Sequence, residues 1–229
     1  MDFAQYTSRL ENSGLGFKRR LNGLGLTAKS ESSSRQILML CGLALLTVFT
    51  LRPAHAASRQ SLINFTSAAA EGFWFPVTDA VRGGKSTIFM QVNRDQTATV
   101  SGELVLNESN AGFASYRVQR EDGTNWNIGS AQALVIEARG DGREYKLLIE
   151  DKNSSSSRPK FTWQAAFVPP TNQFGEIEIQ VDQLVPVSRG QVFVGAPAFD
   201  ASNVMEIGFQ INDKQNGPFR LDLKAVEVK

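Results

Sequence analysis

Two residue types that carry much of protein chemistry are nearly missing. The chain has one cysteine, Cys41, and one histidine, His55, and both precede residue 57. If the segment before residue 57 is removed, the remainder has neither. That excludes a Ser-His triad, a cysteine nucleophile, and a His- or Cys-ligated zinc or haem site from the remainder. It excludes disulfides too, so the fold must rest on its core alone. Carboxylate, lysine or tyrosine chemistry stays open. Asp79, Asp141 and Asp213 would be the acids for a carboxylate reaction, but each sits in an expected turn, where aspartate is common for structural reasons. A basic face is missing as well. Residues 57–229 hold 17 Lys/Arg against 20 Asp/Glu, which gives no nucleic-acid footprint. Nothing calls for a cofactor, and no amphipathic helix of any length is visible.

One apolar run is present. Residues 1–56 hold seven Lys/Arg against three Asp/Glu, and Ile37 to Leu51 (ILMLCGLALLTVFTL) is uncharged and mostly apolar. Positive charge, an apolar core of this length and then Ala54-His55-Ala56 form a secretory signal pattern, with cleavage expected after Ala56. The run is short for a span of about 20 residues, so an uncleaved membrane anchor is the second choice. Either way the C-terminal part is expected to be exported, to a periplasm or outside the cell. The long polar stretch before the run leaves an organelle signal, to a thylakoid lumen or mitochondrion, as the alternative.

The next informative stretch is Trp74 to Ser86 (WFPVTDAVRGGKS). Gly84-Lys85-Ser86 ends like a phosphate-binding loop, but that loop needs a glycine where Asp79 stands, and it must open a helix. Ser86 to Val92 reads instead as a strand. A tight turn is expected, with Gly83 and Gly84 at positive φ and Asp79 accepting from nearby N–H groups.

Residues 57–72 read as an exposed approach, with Leu62, Ile63 and Phe65 positioned to tuck under a core and Ala68-Ala69-Ala70 as one helical turn. From residue 73 to 229 the pattern has period two. Strands are expected over Thr97–Leu106, Gly112–Gln119, Leu134–Arg139, Glu144–Glu150, Phe161–Phe167 and Glu176–Val181. Gly102 marks a bulge or a close backbone approach. Asp141-Gly142 between two β-patterned runs predicts a hairpin. Asn153 to Ser157 reads as a mobile serine-rich tip. Met205, Ile207, Phe209 and Ile211 are expected on one buried face. The last strand begins at Phe219, and its alternation breaks between Ala225 and Val226, which suggests a bulge. About ten short strands separated by turns predict an all-β sandwich.

Four segments carry a resemblance to a known family. They are Asp79-Ala80-Val81-Arg82-Gly83-Gly84-Lys85-Ser86; Asn110 to Arg117, where Ala111 replaces a usual glycine; Arg139-Gly140-Asp141-Gly142-Arg143-Glu144-Tyr145; and Ile207-Gly208-Phe209 followed by Asp213-Lys214-Gln215 and Gly217-Pro218-Phe219. Together, and in this order, they resemble the complex I intermediate-associated protein family. The resemblance implies a jelly-roll sandwich like galactose-binding domains. It also implies a non-enzymatic assembly or chaperone-like role toward NADH:ubiquinone oxidoreductase, with a protein partner in a membrane complex. The membrane itself would be touched only through the leader, if uncleaved.

Candidate contacts are Trp74, Asp79, Arg82, Lys85, Arg117, Asp141 and Arg143. Arg117 either meets a ligand or pairs with a carboxylate of the sheet. The second function reading is an exported carbohydrate-binding module. Trp74, Trp126 and Trp163 would then form a sugar platform, and the competing reading makes them core anchors.

Overall fold

The computed structural model describes residues 58–66, 72–106 and 112–229. The expected leader, the Ala68–Ala70 turn and the turn over 107–111 lie outside the described residues. The strands run β1 Gln60–Asn64, β2 Phe73–Thr78, β3 Thr87–Val92, β4 Ala98–Leu104, β5 Ala114–Gln119, β6 Ala133–Gly140 and β7 Tyr145–Asp151. After the short helix α1, Lys152–Ser156, come β8 Thr162–Phe167, β9 Gly175–Gln180, β10 Val185–Ser188, β11 Gln191–Val192, β12 Val204–Ile211 and β13 Gly217–Val228.

They form two antiparallel sheets facing each other as a jelly-roll sandwich. The six-stranded sheet has the order β3-β4-β13-β6-β9, with β1 as its sixth strand beside β13, and the seven-stranded sheet β11-β10-β8-β7-β12-β5-β2. Strand β13 is the spine of the first sheet. Its first half pairs with β4, its last residues pair with β1, and β6 lies along the other side.

Alternation explains the core. Leu134, Ile136 and Ala138 of β6 and Leu221, Leu223, Val226 and Val228 of β13 face inward and are buried. Against them pack Tyr145, Leu147 and Ile149 of β7 and Ile207, Phe209 and Ile211 of β12. Strand β13 keeps its apolar side inward because the pairing with β6 shifts by one residue between Leu223 and Ala225. Without that bulge, Val226 and Val228 would turn to solvent. The break in alternation anticipated this bulge, about one residue further along.

Residues 60–64 are more than an approach. Strand β1 pairs with β13, and Leu62, Ile63 and Phe65 are buried, so the sandwich begins before residue 73. Gly102 is a close approach, as expected. An added Cβ would sit 2.0 Å from the Thr87 carbonyl oxygen. Gly102→Ala must push β3 off β4, and we expect a loss of about 1–3 kcal/mol. In urea titration the midpoint should fall with the slope unchanged; an unchanged midpoint would show that the edge strand yields without cost.

Four expectations need correction. Asp141-Gly142 does not close a hairpin, because β6 belongs to one sheet and β7 to the other. The turn chemistry is real, with Gly142 at φ +89°. A turn signal specifies reversal but not which strands pair, and β6 and β7 find their partners in β13, β9, β12 and β8.

The serine tip is helix α1. Its N-cap Asp151 accepts from the Ser154 N–H at 2.6 Å, and the Ser154 hydroxyl accepts in turn from the Asp151 N–H at 2.9 Å. The Asp151 carboxylate also accepts from the Asp200 N–H, which ties the helix to the chain before β12. Met205 is exposed, because the β12–β7 pairing shifts between Val204 and Glu206 and swings it outward. Of Gly83 and Gly84, only Gly83 has a positive φ, +78°.

Candidate functional site

The turn after β2 is built around one buried acid. Asp79 is fully buried, and its carboxylate accepts from the Ser86 N–H at 3.0 Å and from the Ser86 hydroxyl at 2.7 Å. Its own N–H donates to the Phe113 carbonyl at 3.0 Å. The Ser86 oxygen accepts in turn from the Val105 N–H. Asp79 therefore fixes the β2–β3 turn against the chain entering β5, and its oxygens do not face solvent. Arg82 ends the 3-10 turn Asp79–Arg82 and is exposed. Lys85 is exposed on the same turn.

Beyond that turn lies the outward face of the seven-stranded sheet. Register sets which side chains share it. Phe75 pairs with Arg117, Arg117 with Gly208, Gly208 with Leu148, and Leu148 with Gln164. In the next row Phe73 pairs with Gln119, while Glu206 lies opposite Glu150.

Arg117 is the centre of this face. Its guanidinium pairs with Glu206 at 2.9 Å and approaches Glu150 at 3.9 Å, and its Nε donates to the Ser115 hydroxyl. The Gln119 amide donates to the other Glu206 oxygen at 3.1 Å. The Arg117, Glu206 and Glu150 side chains are only 15%, 8% and 16% exposed. Of the two roles open to Arg117 in the sequence, pairing with a sheet carboxylate is the one observed. Gly208 makes room for it, since a Cβ there would lie 2.8 Å from Arg117 Cγ. Burial first, and then the Glu206 charge, push the Glu150 carboxyl above its ordinary range, while Lys160 and Arg117 pull it down.

Over this floor opens a cleft of about 410 Å³, lined among others by Arg82, Phe113, Arg117, Glu150, Lys160 and Arg189. Thr162, Gln164, Gln210 and Asn212 add neutral polar groups. Arg82, Lys160 and Arg189 are exposed, and among the described residues no carboxylate lies within ion-pair distance of them. The outward face of the six-stranded sheet is different. There Asp222 takes Arg139, Arg220 and Thr99, Glu137 takes Lys224, and Glu176 takes Arg59.

Asp141 and Arg143 are elsewhere, in the connection from β6 to β7. Arg143 holds both oxygens of Asp213, at 2.9 and 2.7 Å, and donates to the carbonyls of Gln215, Gly217 and Pro218. Asp141 accepts from the Tyr145 hydroxyl, the Arg143 N–H and the Arg220 N–H. Burial and the Asp141 charge push the Tyr145 phenol well above its usual range, so it stays a donor. This lock joins the third and fourth family segments. The first two meet at Asp79 and Phe113, and Arg117 lies over Gly208 of the fourth.

The structure thus brings Arg82 and Arg117 into one cleft. Trp74 points inward beside Phe65 and Tyr116, Asp79 is the buried clamp, Lys85 lies outside the cleft lining, and Asp141 and Arg143 form the lock. The three-tryptophan sugar platform does not form. Trp126 and Trp163 are buried, and Trp74 packs against the core. Sequence reasoning missed Glu150, Glu206, Lys160 and Arg189. Glu150 and Glu206 were signalled as charged residues at outward positions of strands whose other side is apolar, whereas Lys160 and Arg189 lie in the connections before β8 and after β10 and carried no such signal.

The fold has solved counterparts. A family 11 carbohydrate-binding module of the cellulosomal cellulase Lic26A-Cel5E of Clostridium thermocellum is 15% identical with a TM-score of 0.54, matching 75% of this chain and 94% of its own. The family 11 module from the same organism, in complex with a β-1,3-1,4-mixed-linked tetrasaccharide, is 15% identical with a TM-score of 0.52, over 74% of this chain and 94% of its own. An agarase, AgWH50C, shares 11% identity and a TM-score of 0.50 over 75% of this chain, but only 24% of the agarase is matched. These likenesses concern the fold. The family is set by the sequence profile of complex I intermediate-associated protein 30, which matches residues 63–223 and carries all four segments within its span, so this chain belongs to the CIA30 family.

Proposed function

We propose that this chain is a non-enzymatic binding protein that assists the assembly of a membrane respiratory complex of the NADH:ubiquinone oxidoreductase type. The observation that supports this is family membership over residues 63–223. The chemistry of the domain agrees with it. Asp79, Asp141 and Asp213 are each engaged in holding a loop, and the CIA30 and carbohydrate-binding-module folds are non-catalytic. We place the domain on the exported side of a membrane, with the leader removed after Ala56 or kept as an anchor.

In-cell crosslinking in the native host, followed by purification of the chain, tests both statements. Subunits or intermediates of a respiratory complex should co-purify, and the recovered chain should begin at Ala57. Recovery of no membrane-complex subunit would overturn the assembly role. A start elsewhere, in a matrix or cytoplasmic fraction, would overturn the export.

A second reading, carbohydrate binding, is favoured by the cleft itself. A concave, hydroxyl-compatible floor lies on one sheet of a fold that a tetrasaccharide-binding module shares.

A further inference from the structure

We infer that the cleft on the seven-stranded sheet takes an acidic oligosaccharide, one whose sugars bear carboxylate or sulfate groups. This rests on the carbohydrate reading above and goes further, by naming the charge of the ligand.

The floor selects against a peptide. The strands that line the cleft, β5, β12, β7, β8 and β10, are each paired on both sides, and the edge strands β11 and β2 contribute no lining residue, so no ladder edge opens into the cleft. What the floor does offer is side chains of both hydrogen-bonding kinds. Arg117 and Lys160 donate, Glu150 accepts, and Gln164, Gln210 and Asn212 do both. A sugar hydroxyl is donor and acceptor at once and can meet either kind, whereas a peptide carbonyl would be repelled by the Glu150 carboxylate.

The rim then selects charge. Arg82, Lys160 and Arg189 stand around the opening with no carboxylate within ion-pair distance among the described residues, and only Lys160 feels the Glu150 charge at longer range. Arg117 is neutralised by Glu206, which leaves Glu150 as the acid facing the cleft. Residues 57–229 carry more acids than bases, so this local excess of positive charge runs against the average of the domain. A cleft of one sign concentrates ligands of the other. One apolar ring face lies in the cleft and two stand beyond its lining. Phe113 lines the cleft, and Phe73 and Phe75 stack at 5.7 Å on the same sheet face, with Phe73 64% exposed. Such faces can cover the C–H side of a sugar ring.

The test is calorimetric titration of the full chain with oligosaccharides of matched length. The panel would hold oligogalacturonate, a sulfated galactan oligosaccharide, the neutral galactan and a neutral mixed-linkage glucan, with oligoglutamate and inorganic sulfate as charge controls. One or both acidic sugars should bind at least tenfold more tightly than the neutral ones, and which of them binds identifies carboxylate or sulfate. Binding should weaken with salt, and a Lys160→Ala/Arg189→Ala double variant with an unchanged melting temperature should lose at least tenfold. Equal binding of neutral and acidic sugars would overturn the inference while leaving the carbohydrate reading standing. No binding of any sugar would overturn both. Oligoglutamate or sulfate binding as tightly as the acidic sugars would show attraction by charge alone and would also overturn it.

Discussion

Replacing Arg143 by alanine is expected to destabilise the domain by about 3–5 kcal/mol, the range for removing one partner of a buried ion pair. Arg143 and Asp213 are 11% and 4% exposed, and the guanidinium also satisfies three backbone carbonyls of the turn before β13. Alanine would take the donor from these carbonyls and leave Asp213 its Gln215 N–H but no cation. Small domains are stable by only about 5–15 kcal/mol, so the variant should lose a large share of its total. Urea titration gives the loss directly.

Lysine at position 143 separates charge from geometry. An ammonium can pair with Asp213 but cannot span a carboxylate and three carbonyls as the planar fork does. Arg143→Lys should therefore recover less than half of the loss. Full recovery would show that charge alone mattered.

The pH dependence follows from Asp213. Burial opposes its ionisation, yet the Arg143 guanidinium and the Gln215 N–H hold its carboxyl below the usual range. A group with a lowered folded pKa contributes stability above its unfolded pKa, and that contribution fades as pH falls through the folded one. The gap between native protein and Arg143→Ala should thus be widest near neutrality and narrow in acid.

The lock also shows where the sequence was legible. Strand identity could be read wherever one face alternated cleanly, as in Ile207, Phe209 and Ile211 or Phe219, Leu221 and Leu223. The bulge in β13 was visible because its alternation broke. Pairing was not visible. Nothing in Gly140 to Arg143 says that the chain is crossing between sheets, because that is decided by the distant partners of β6 and β7. Asp151 gave no warning of α1, since a cap needs geometry as well as a residue that can cap.

The site was legible only in part, and for a related reason. Resemblance singled out Asp79, Asp141 and Arg143, but these residues build loops: each is fully engaged by hydrogen bonds within the domain. A residue can mark a family because the fold needs it, without facing any ligand. Arg82 and Arg117 reach the cleft, and the residues that complete it come from β7, β8 and β12 and from the turn after β10. Only the register across three strands, β5, β12 and β7, places Glu206 beside Arg117 and opposite Glu150.

That placement gives the other large effect. Arg117→Ala removes the cation between two carboxylates that are 8% and 16% exposed and lie opposite each other on neighbouring strands. The two charges then repel across the pair with little water to screen them. Near neutral pH the cost should again reach about 3–5 kcal/mol. In the variant the folded-state pKa of the carboxylate pair must rise above its unfolded value. Between those two values the folded state binds the extra proton, so stability increases as pH falls. Melting temperatures of native and variant protein, followed from pH 7.5 to 5, should therefore converge. Glu206→Gln in the Arg117→Ala background should restore much of the loss at neutral pH, because one of the two charges is gone. A deficit that stays constant with pH, and that Glu206→Gln does not relieve, would mean that Arg117 acts through packing over Gly208 alone, and the electrostatic account of this floor would fall.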